Sequence, residues 1–370
     1  MVLLILISIL YFIVIISFII GFDKVIVLKK RSVKQRFSIL IPFRNEAENI
    51  AALAKSLQVL NYPKEQYEII WINDASTDNS VPILTEFIIK NNNWKLVDNK
   101  RQSNSPKKDA IQTAIYKAKY KWIITTDADC EVPINWLQSF SGLITSLHAI
   151  SKEVNMIAAP VAYKTEQKFL QNFQNMDFLS LIGSTIGSFG IGKPFMCNGA
   201  NLCYRKEIFF EVNGFQGNDN IASGDDVFLL EKIQRKKPKS VHYLKSKDAL
   251  VITKPETTFK GLILQRIRWA SKTSATKNRF GKSVGIIVFL MNFILVFGVI
   301  YSFFNLKYLN TVVLIFVLKF NIDFLLIHKT YRFVGLKNNI KSYIGSSFLY
   351  PFFVVYIVLL SFFKKSEWKK

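Results

Sequence analysis

The amino-acid sequence predicts an α/β domain with a mainly parallel sheet, inserted between transmembrane helices. Between residues 37 and 280, apolar runs of strand length alternate with segments of helical pattern. This alternation is typical of parallel strands joined by helical crossovers. Segments 1–22, 283–306 and 342–363 contain no charged side chain, and each reaches the roughly 20 residues that a membrane-crossing helix needs. We therefore expect an N-terminal transmembrane helix (1–22), a globular domain (37–280) and a C-terminal membrane region (283–363).

The N-terminal segment is predicted to be a membrane anchor and not a signal peptide, because its apolar run is too long and no basic region precedes it. Basic residues follow it directly, namely Lys24, Lys29, Lys30, Arg31, Lys34 and Arg36. A second basic group precedes the next apolar segment and consists of Lys272, Lys277, Arg279 and Lys282. Since basic loops stay in the cytoplasm, both groups predict a cytoplasmic globular domain and an N-terminus outside.

The number of spans after the globular domain is left open at two or three. Residues 308–327 form a weaker candidate, because Lys319, Asn321 and Asp323 interrupt the apolar pattern. A third span would put the lysines at the end of the chain outside the membrane, against the same charge rule. No sorting motif is present, and we expect a multi-pass protein of a bacterial inner membrane.

The formal net charge of +23 is attributed to contact with membrane lipids and not to nucleic acid. Much of the excess flanks the apolar segments, where a basic side chain contributes ~1 kcal/mol to binding anionic lipid. The sequence has no helix-turn-helix, zinc-finger or RNP-like pattern. The three cysteines form no paired framework and the three histidines lie far apart, which predicts free thiols and no zinc site.

The elements of the globular domain are predicted in order from their patterns. Strands are expected at 37–43, 67–73, 94–97, 121–126 and 156–163, and helices at 46–60, from 78 onward, at 106–120 and at 258–277. In such sheets ligands bind outside the carboxyl ends of the strands, and polar residues do gather there, at 42–46, 73–78 and 127–129.

The acids at 127 and 129 are the strongest candidate site. Helix capping is the better account of Asp78 and Asn79, which precede a predicted helix. Capping does not explain Asp127 and Asp129, which crowd the end of a dry apolar strand. Two carboxylates so spaced can share a divalent cation, and hard oxygen ligands favour Mg²⁺ or Mn²⁺, with a diphosphate supplying further oxygens.

A glycine-rich stretch at 187–193 fits a phosphate-loop pattern up to its last position. That position is Pro194, which offers neither a hydroxyl for Mg²⁺ nor an amide donor. We interpret the stretch as a mobile loop on the acceptor side and not as an ATP site. Residues 197–201 beyond it are expected to face the acceptor.

Several segments together resemble the family 2 glycosyltransferases, which have the GT-A fold. They are SILIPFRNEAENI, EIIWINDASTDNS, SPKKDAIQTAI, ITTDADC, ASGDDVFLLEK and QRIRW, in the order expected of that family. The sequence looks like its membrane-bound branch, which includes cellulose, hyaluronan and poly-N-acetylglucosamine synthases. The resemblance runs from about residue 37 to 270.

The resemblance implies a role for each matching position. The nucleoside would be held by Pro42 through Glu46 and by Asp74, and Lys107 would contact the donor near its phosphates. Asp127 and Asp129 would bridge donor and metal, and Asp226 would be the general base. The QxxRW motif is matched by Gln265, Arg268 and Trp269. Two positions depart from the family, which often has Asp where this chain has Asn73 and commonly Asn where it has Gln112. For Asp225 and Asp226, helix capping is the alternative.

The sequence thus predicts an inverting, metal-dependent transfer of a sugar from a nucleotide-sugar donor to a glycan or lipid-linked acceptor. A metal at Asp127 and Asp129 would stabilise the leaving diphosphate, and Arg268 could add charge there. Trp269 could stack on a sugar, or lie at the membrane boundary in an interfacial helix. Two alternatives stay open: a polyprenyl-phosphate sugar transferase, and a non-catalytic membrane scaffold or transporter. Donor base, sugar, acceptor and oligomeric state are not predicted.

Overall fold

The computed structural model describes residues 2–28, 31–164, 168–218, 221, 223–335 and 341–363. The chain forms two compact units, each built from separate stretches of sequence. The sheet unit comprises Ile26–Ala162 and Met196–Lys254. The helical unit comprises Met1–Val25, Tyr163–Phe195 and Pro255–Lys370. The domain limits predicted from the sequence stay a prediction.

The sheet unit contains a seven-stranded sheet with the order β3-β2-β1-β4-β7-β5-β8. The strands are β1 (Phe37–Phe43), β2 (Tyr67–Asn73), β3 (Trp94–Asp98), β4 (Trp122–Thr125), β5 (Met156–Ala158), β6 (Val161–Tyr163), β7 (Leu202–Arg205), β8 (Val241–Tyr243) and β9 (Val251–Thr253). Strands β1 to β4 pair in parallel, β7 runs antiparallel to β4 and β5, and β5 pairs in parallel with β8. The predicted mainly parallel sheet is confirmed.

Helices connect these strands and form the second unit. Those of the sheet unit are α2 (Ala47–Gln58), α3 (Ser80–Ile88), α4 (Pro106–Lys117), α5 (Trp136–His148), α7 (Lys206–Glu211) and α8 (Val227–Lys236). Those of the helical unit are α1 (Val2–Lys24), α6 (Phe169–Gly190), α9 (Phe259–Ala275), α10 (Arg279–Phe304), α11 (Leu309–Val334) and α12 (Ser342–Phe363).

The central strands are buried on both faces, which explains why their sequences are continuous apolar runs. Every residue of β1 and of β4 is buried, and β2 is buried up to Ile72. Parallel strands covered by helices on both sides have this pattern instead of an alternating one. The predicted limits of β1 and β2 agree with the structure at both ends.

The predicted strand 156–163 is wrong as a single element. The structure divides it into β5 in the large sheet and β6, which pairs with β9 in a separate two-stranded sheet. Pro160 lies between them, and proline has no N–H with which to continue a ladder. Its carbonyl accepts a hydrogen bond from Asn201 Nδ2 at 2.7 Å. An apolar run alone does not reveal such a change of sheet.

Four helices among the described residues are long and apolar enough to cross a membrane. They are Leu4–Lys24, Arg279–Phe304, Leu306–Val334 and Ser342–Phe363. The third contains the interrupted segment 308–327. Its charged residues pair with each other, since Lys319 Nζ lies 2.5 Å from Asp323 Oδ2, and Tyr11 of α1 donates a hydrogen bond to Asp323 Oδ1 at 2.6 Å.

The interpretation of 187–193 as a loop is wrong. Its first four residues form the last turn of α6, which lies directly against α1. A Cβ built on Gly190 would lie 1.8 Å from the carbonyl oxygen of Gly21, and one built on Gly187 would lie 2.4 Å from that of Phe18. The glycines therefore allow close contact between two helix backbones, as small residues do between membrane helices.

Candidate active site

The carboxyl ends of β1, β2 and β4 lie at one edge of the large sheet. Their parallel registers place Phe43 beside Asn73, and Leu40 beside Thr125. The loops that leave this edge begin with Arg44, Asp74 and Thr126. The rule that ligands bind at this edge of an α/β sheet therefore applies to the residues that the sequence singled out.

Lys107, in the first turn of α4, joins acids from two different loops. Its Nζ lies 2.6 Å from Asp127 Oδ1, in the loop after β4, and 3.5 Å from Asp225 Oδ2, before α8. The Lys107 side chain is 18% exposed and that of Asp225 is 9% exposed. The structure thus brings together the predicted donor-binding lysine, the first predicted metal ligand and the acid beside the predicted base.

The charges around Lys107 favour its protonated form. Burial opposes the charge, but the carboxylates of Asp127 and Asp225, followed by that of Asp226, raise the pKa of Lys107 well above its ordinary value. An ammonium held by several carboxylates stays charged at every physiological pH. Lys107 therefore carries a permanent positive charge at this edge of the sheet.

Asp226 has the helix-capping role that the sequence analysis gave as the alternative, and its role as general base stays a prediction. As the N-cap of α8, its Oδ1 accepts a hydrogen bond from Val227 N at 2.8 Å. Its Oδ2 accepts a second bond from Gly199 N at 3.2 Å, and Gly199 O accepts one from Thr125 Oγ1 at 2.7 Å. Asp226 caps a helix and, through Gly199, is held beside the end of β4.

Gly199 cannot be replaced without displacing these acids. A Cβ at this position would lie 2.9 Å from Asp225 Oδ2. That residues 197–201 face an acceptor stays a prediction, but the segment does contact the acids Asp225 and Asp226 through Gly199. Asn201 at its end is fully buried and donates to the carbonyls of Pro160 and Ala249, each at 2.7 Å, so its part is structural.

Asp129 lies on the same loop as Asp127 and accepts a hydrogen bond from Thr253 Oγ1 at 3.3 Å. Burial, together with Asp129 and Asp127, raises the pKa of the Cys130 thiol well above its ordinary value, so this sulfur offers no thiolate to a metal. Two carboxylates without a thiolate fit a hard cation such as Mg²⁺ or Mn²⁺. Within the described residues, no three His, Cys, Asp or Glu side chains are grouped so as to hold a metal ion.

Asp74 has partners that the sequence analysis missed. Arg101 forms a two-pronged ion pair with it, from Nε at 2.7 Å and from a terminal nitrogen at 2.8 Å. Asn99 Nδ2 donates to Asp74 Oδ1 at 2.7 Å, and the bond to Asp74 raises the pKa of Arg101. Both partners follow β3, so the rule that polar residues gather at carboxyl ends of strands could have found them.

The remaining predicted nucleoside-binding residues lie in the β1–α2 connection. Pro42 is the penultimate residue of β1, where it is buried beside Ile72. Glu46 directly precedes α2, and its Oε2 accepts a hydrogen bond from Asn49 Nδ2 at 2.7 Å. Asp78 accepts bonds from Ala47 N and Ser80 N, both at 3.0 Å, at the starts of α2 and α3, so its predicted capping role is confirmed. Asn79, which was also predicted to cap, is the N-cap residue of α3 but makes no capping hydrogen bond with its side chain.

The start of α4 is anchored by the two residues that follow Lys107. Lys108 is buried and donates to the carbonyl oxygens of Asn218 at 2.5 Å and Ile221 at 2.8 Å. Asp109 accepts bonds from the backbone N–H groups of Gln102 at 2.9 Å and Ser103 at 2.8 Å. These contacts fix the helix start against the segment that leads to Asp225.

Gln265, Arg268 and Trp269 lie on α9, in the helical unit. The residue next to Gln265, which the motif leaves unspecified, makes the strongest contacts there. Arg266 Nε lies 2.7 Å from Asp177 Oδ2, and both side chains are buried. The guanidinium also lies over the Trp269 ring at 4.2 Å and donates to the Gln265 side chain. Arg268 is half-buried.

Residues 38–209 match the model of the family described as "Glycosyl transferase family 2". The match includes β1, β2, β4, Lys107 and both predicted metal ligands. Residues 38–209 thus resemble a family 2 glycosyltransferase domain. The resemblance inferred from the motifs is thereby confirmed.

Curated relatives of this chain are named as synthases of a polysaccharide. A poly-beta-1,6-N-acetyl-D-glucosamine synthase of Staphylococcus epidermidis is 27% identical over 242 residues, covering 63% of this chain and 53% of that protein. One of Staphylococcus aureus (strain COL) is 25% identical over 238 residues, with the same coverage. The chain therefore spans about half the length of the curated relatives it matches.

A solved structure resembles this chain over nearly its whole length. It is a mannosyltransferase from Pyrobaculum calidifontis, in complex with GDP-Man and Mn²⁺, with a TM-score of 0.58 and 15% sequence identity, and the similarity covers 98% of both chains. At this identity the likeness concerns the fold. It confirms the predicted GT-A class, with helices at the ends that could span a membrane.

Proposed function

We propose that this protein is a membrane-bound, inverting glycosyltransferase that moves a sugar from a nucleotide-sugar donor to a glycan or lipid-linked acceptor. The observation that supports this most is the joining of Asp127, Asp225 and Asp226 around Lys107 at the carboxyl edge of the sheet. Lys107 and Asp127 lie within the residues that match the family model, and curated relatives of the chain are named as synthases.

The first task of such a site is to stabilise the departing diphosphate. Asp127 and Asp129 would hold Mg²⁺ or Mn²⁺, which supplies Lewis-acid stabilisation of the charge on the leaving group. Lys107, fixed in its charged form, is positioned to contact phosphate oxygens as well. Charges arranged before the reaction at the place where new charge develops are commonly the largest contribution to catalysis.

The second task is to accept a proton from the attacking hydroxyl. Asp226 is held in one orientation by the N–H groups of Val227 and Gly199. A carboxylate has about four lone-pair sites, so two backbone donors leave capacity for a proton. The activated hydroxyl would attack the anomeric carbon on the face opposite the nucleotide. This attack displaces the nucleoside diphosphate and inverts the anomeric centre.

The proposed substrates follow from the relatives and from the helices. The names of the curated relatives make an activated N-acetylglucosamine the first donor to test. Four helices able to cross a bilayer support an acceptor at or in the membrane. The basic residues that flank these helices support a cytoplasmic active site, where nucleotide sugars would be supplied.

The test is a donor panel applied to the full chain in membranes. Radiolabelled UDP-, GDP- and dTDP-sugars are supplied with Mn²⁺ or Mg²⁺, and label is followed into lipid and polymer fractions. We expect one donor to label a product, and EDTA to abolish the labelling. If no donor yields labelled product or releases its nucleoside diphosphate, the proposal is contradicted.

A further inference from the structure

Lys107 neutralises the first predicted metal ligand with a charge from the chain itself. The 2.6 Å separation of its Nζ from Asp127 Oδ1 is the length of a strong charge-assisted hydrogen bond. The second contact, to Asp225, involves a largely buried carboxylate. Such a partly buried pair is weakened less by solvent and salt than an exposed one.

The ammonium and a divalent cation compete for the same carboxylate. A cation bound to Asp127 would replace the hydrogen bond from Lys107 and would repel the ammonium at short range. Lys107 therefore has to leave Asp127 before a metal can use this carboxylate fully. The diphosphate of a donor offers the ammonium another set of negative oxygens.

We propose that Lys107 couples the binding of donor and metal: without a nucleotide it occupies Asp127 and weakens metal binding, and it moves to the diphosphate when the donor arrives. This inference rests on the proposed function. By thermodynamic linkage the effect is reciprocal, so the metal must raise the affinity for the nucleotide by the same factor.

The surroundings of Lys107 allow its side chain to move while its backbone stays fixed. Lys108 and Asp109 anchor the start of α4 through hydrogen bonds to backbone groups of neighbouring loops. The Lys107 side chain, by contrast, has four rotatable carbon–carbon bonds and three rotating donors. A switch between Asp127 and a phosphate needs only changes of its rotamer.

Three buried hydroxyl groups near the cluster are consistent with a bound anion. Ser105, Thr126 and Ser223 are at most 5% exposed, and their hydroxyl oxygens have no hydrogen-bond partner among the described residues. Each lies within two residues of Lys107, Asp127 or Asp225 along the chain. Buried hydroxyls without partners are rare in folded proteins, and a ligand rich in acceptor oxygens would satisfy them.

The experiment measures Mn²⁺ affinity of the purified full chain by electron paramagnetic resonance, without nucleotide and with saturating UDP or GDP. Lys107→Met removes the competing charge, Lys107→Arg retains it, and Lys117→Met is the matched control, because Lys117 is exposed on the last turn of the same helix. Thermal unfolding of each variant verifies that it folds.

We expect Lys107→Met to bind Mn²⁺ about tenfold more tightly than the wild type when no nucleotide is present. Saturating nucleotide should then tighten Mn²⁺ binding by a factor at least five times smaller than in the wild type. Lys107→Arg and Lys117→Met should resemble the wild type. Unchanged or weaker Mn²⁺ binding by Lys107→Met, in a protein whose wild type binds Mn²⁺ and nucleotide, would overturn the coupling alone. A wild type that binds neither would overturn the proposed function together with it.

Discussion

The carboxylate of Glu68 is buried in the sheet and has a full set of donors. It accepts hydrogen bonds from Ser38 Oγ at 2.7 Å, Lys119 N at 2.5 Å and Lys95 Nζ at 2.9 Å. Burial opposes the charge, yet these donors together lower the pKa of Glu68 below its ordinary value. The carboxylate therefore contributes stability above its unfolded pKa of ~4.3, and that contribution is lost as the pH falls through the lower folded pKa.

Replacing Glu68 by Gln should remove this pH dependence. The amide keeps one acceptor oxygen but loses the ion pair with Lys95, whose side chain is 53% exposed, so we expect a loss of only about 1 kcal/mol at pH 7. Urea unfolding at several pH values between 3.5 and 7 measures the difference. The gap between wild type and variant should narrow as the pH falls below ~4.3, and parallel curves would contradict this account.

At the scale of residues, sequence reasoning singled out the acids of one loop but not the contacts between residues of different loops. Asp127 and Asp129 could be singled out because helix capping does not explain two acids at the end of a buried apolar strand. Asp78 could be predicted because capping is a local interaction. The contacts of Asp225 with Lys107 and of Asp74 with Arg101 join segments far apart in sequence, and no periodicity encodes them.

The contact between α1 and α6 depends on glycines at consecutive turns. Gly190→Ala would place a Cβ 1.8 Å from a backbone oxygen of α1, so the two helices would have to separate. Because overpacking typically costs ~1–3 kcal/mol, the variant should unfold at a clearly lower temperature. Gly345→Ala on α12 is the control, since a Cβ there meets nothing within 4 Å. Equal melting temperatures for the two variants would refute the close contact.

Helix α11 carries a buried ion pair that also links it to α1. Lys319 is 5% exposed, and Asp323 accepts a hydrogen bond from Tyr11 as well as from Lys319. Removing one partner leaves an uncompensated buried charge, which costs ~3–5 kcal/mol. We expect Lys319→Met and Asp323→Leu each to destabilise the protein strongly and the double variant to recover most of the loss. Additive losses in a thermal-shift double-mutant cycle would contradict this coupling.

The elements themselves were predicted best where a single physical rule applied. Strands β1 and β2 are continuous apolar runs bounded by polar residues, and their limits follow from that pattern. Residues 187–193 were assigned to a loop because glycine usually interrupts helices. In α6 the contact with α1 outweighs that local preference, and a prediction from the sequence alone has no access to the neighbouring helix.

At the scale of the whole molecule, the chain passes back and forth between two compact units. Residues 163–195 and the segment from 255 onward belong to the helical unit, although they flank parts of the sheet unit in sequence. Hydrophobic patterning describes one segment at a time. It therefore predicted the long apolar helices and the sheet, but not that separate stretches of sequence assemble into each unit.

The proposed orientation of the whole molecule can be tested by labelling single cysteines. In a background where Cys197 is replaced by Ser, Lys117→Cys in the sheet unit and Lys307→Cys between α10 and α11 are treated with a membrane-impermeant maleimide. Since basic flanks predict a cytoplasmic sheet unit, we expect Lys307→Cys to react in intact cells and Lys117→Cys only after permeabilisation. The reverse pattern would contradict the orientation.

The central claim is that acids at the carboxyl edge of the sheet carry the transfer chemistry. The turnover of the Asp127→Asn and Asp226→Asn variants with the active donor tests it most directly. Asparagine caps helices about as well as aspartate, so Asp226→Asn should fold, and Asp127 lies in a loop where its side chain is 35% exposed, so Asp127→Asn should fold as well. Loss of a general base typically costs 10²–10⁴-fold in rate, and we predict a decrease of about that size for Asp226→Asn. Asp127→Asn should lose turnover because it removes a proposed metal ligand. Normal turnover in both variants would contradict the account.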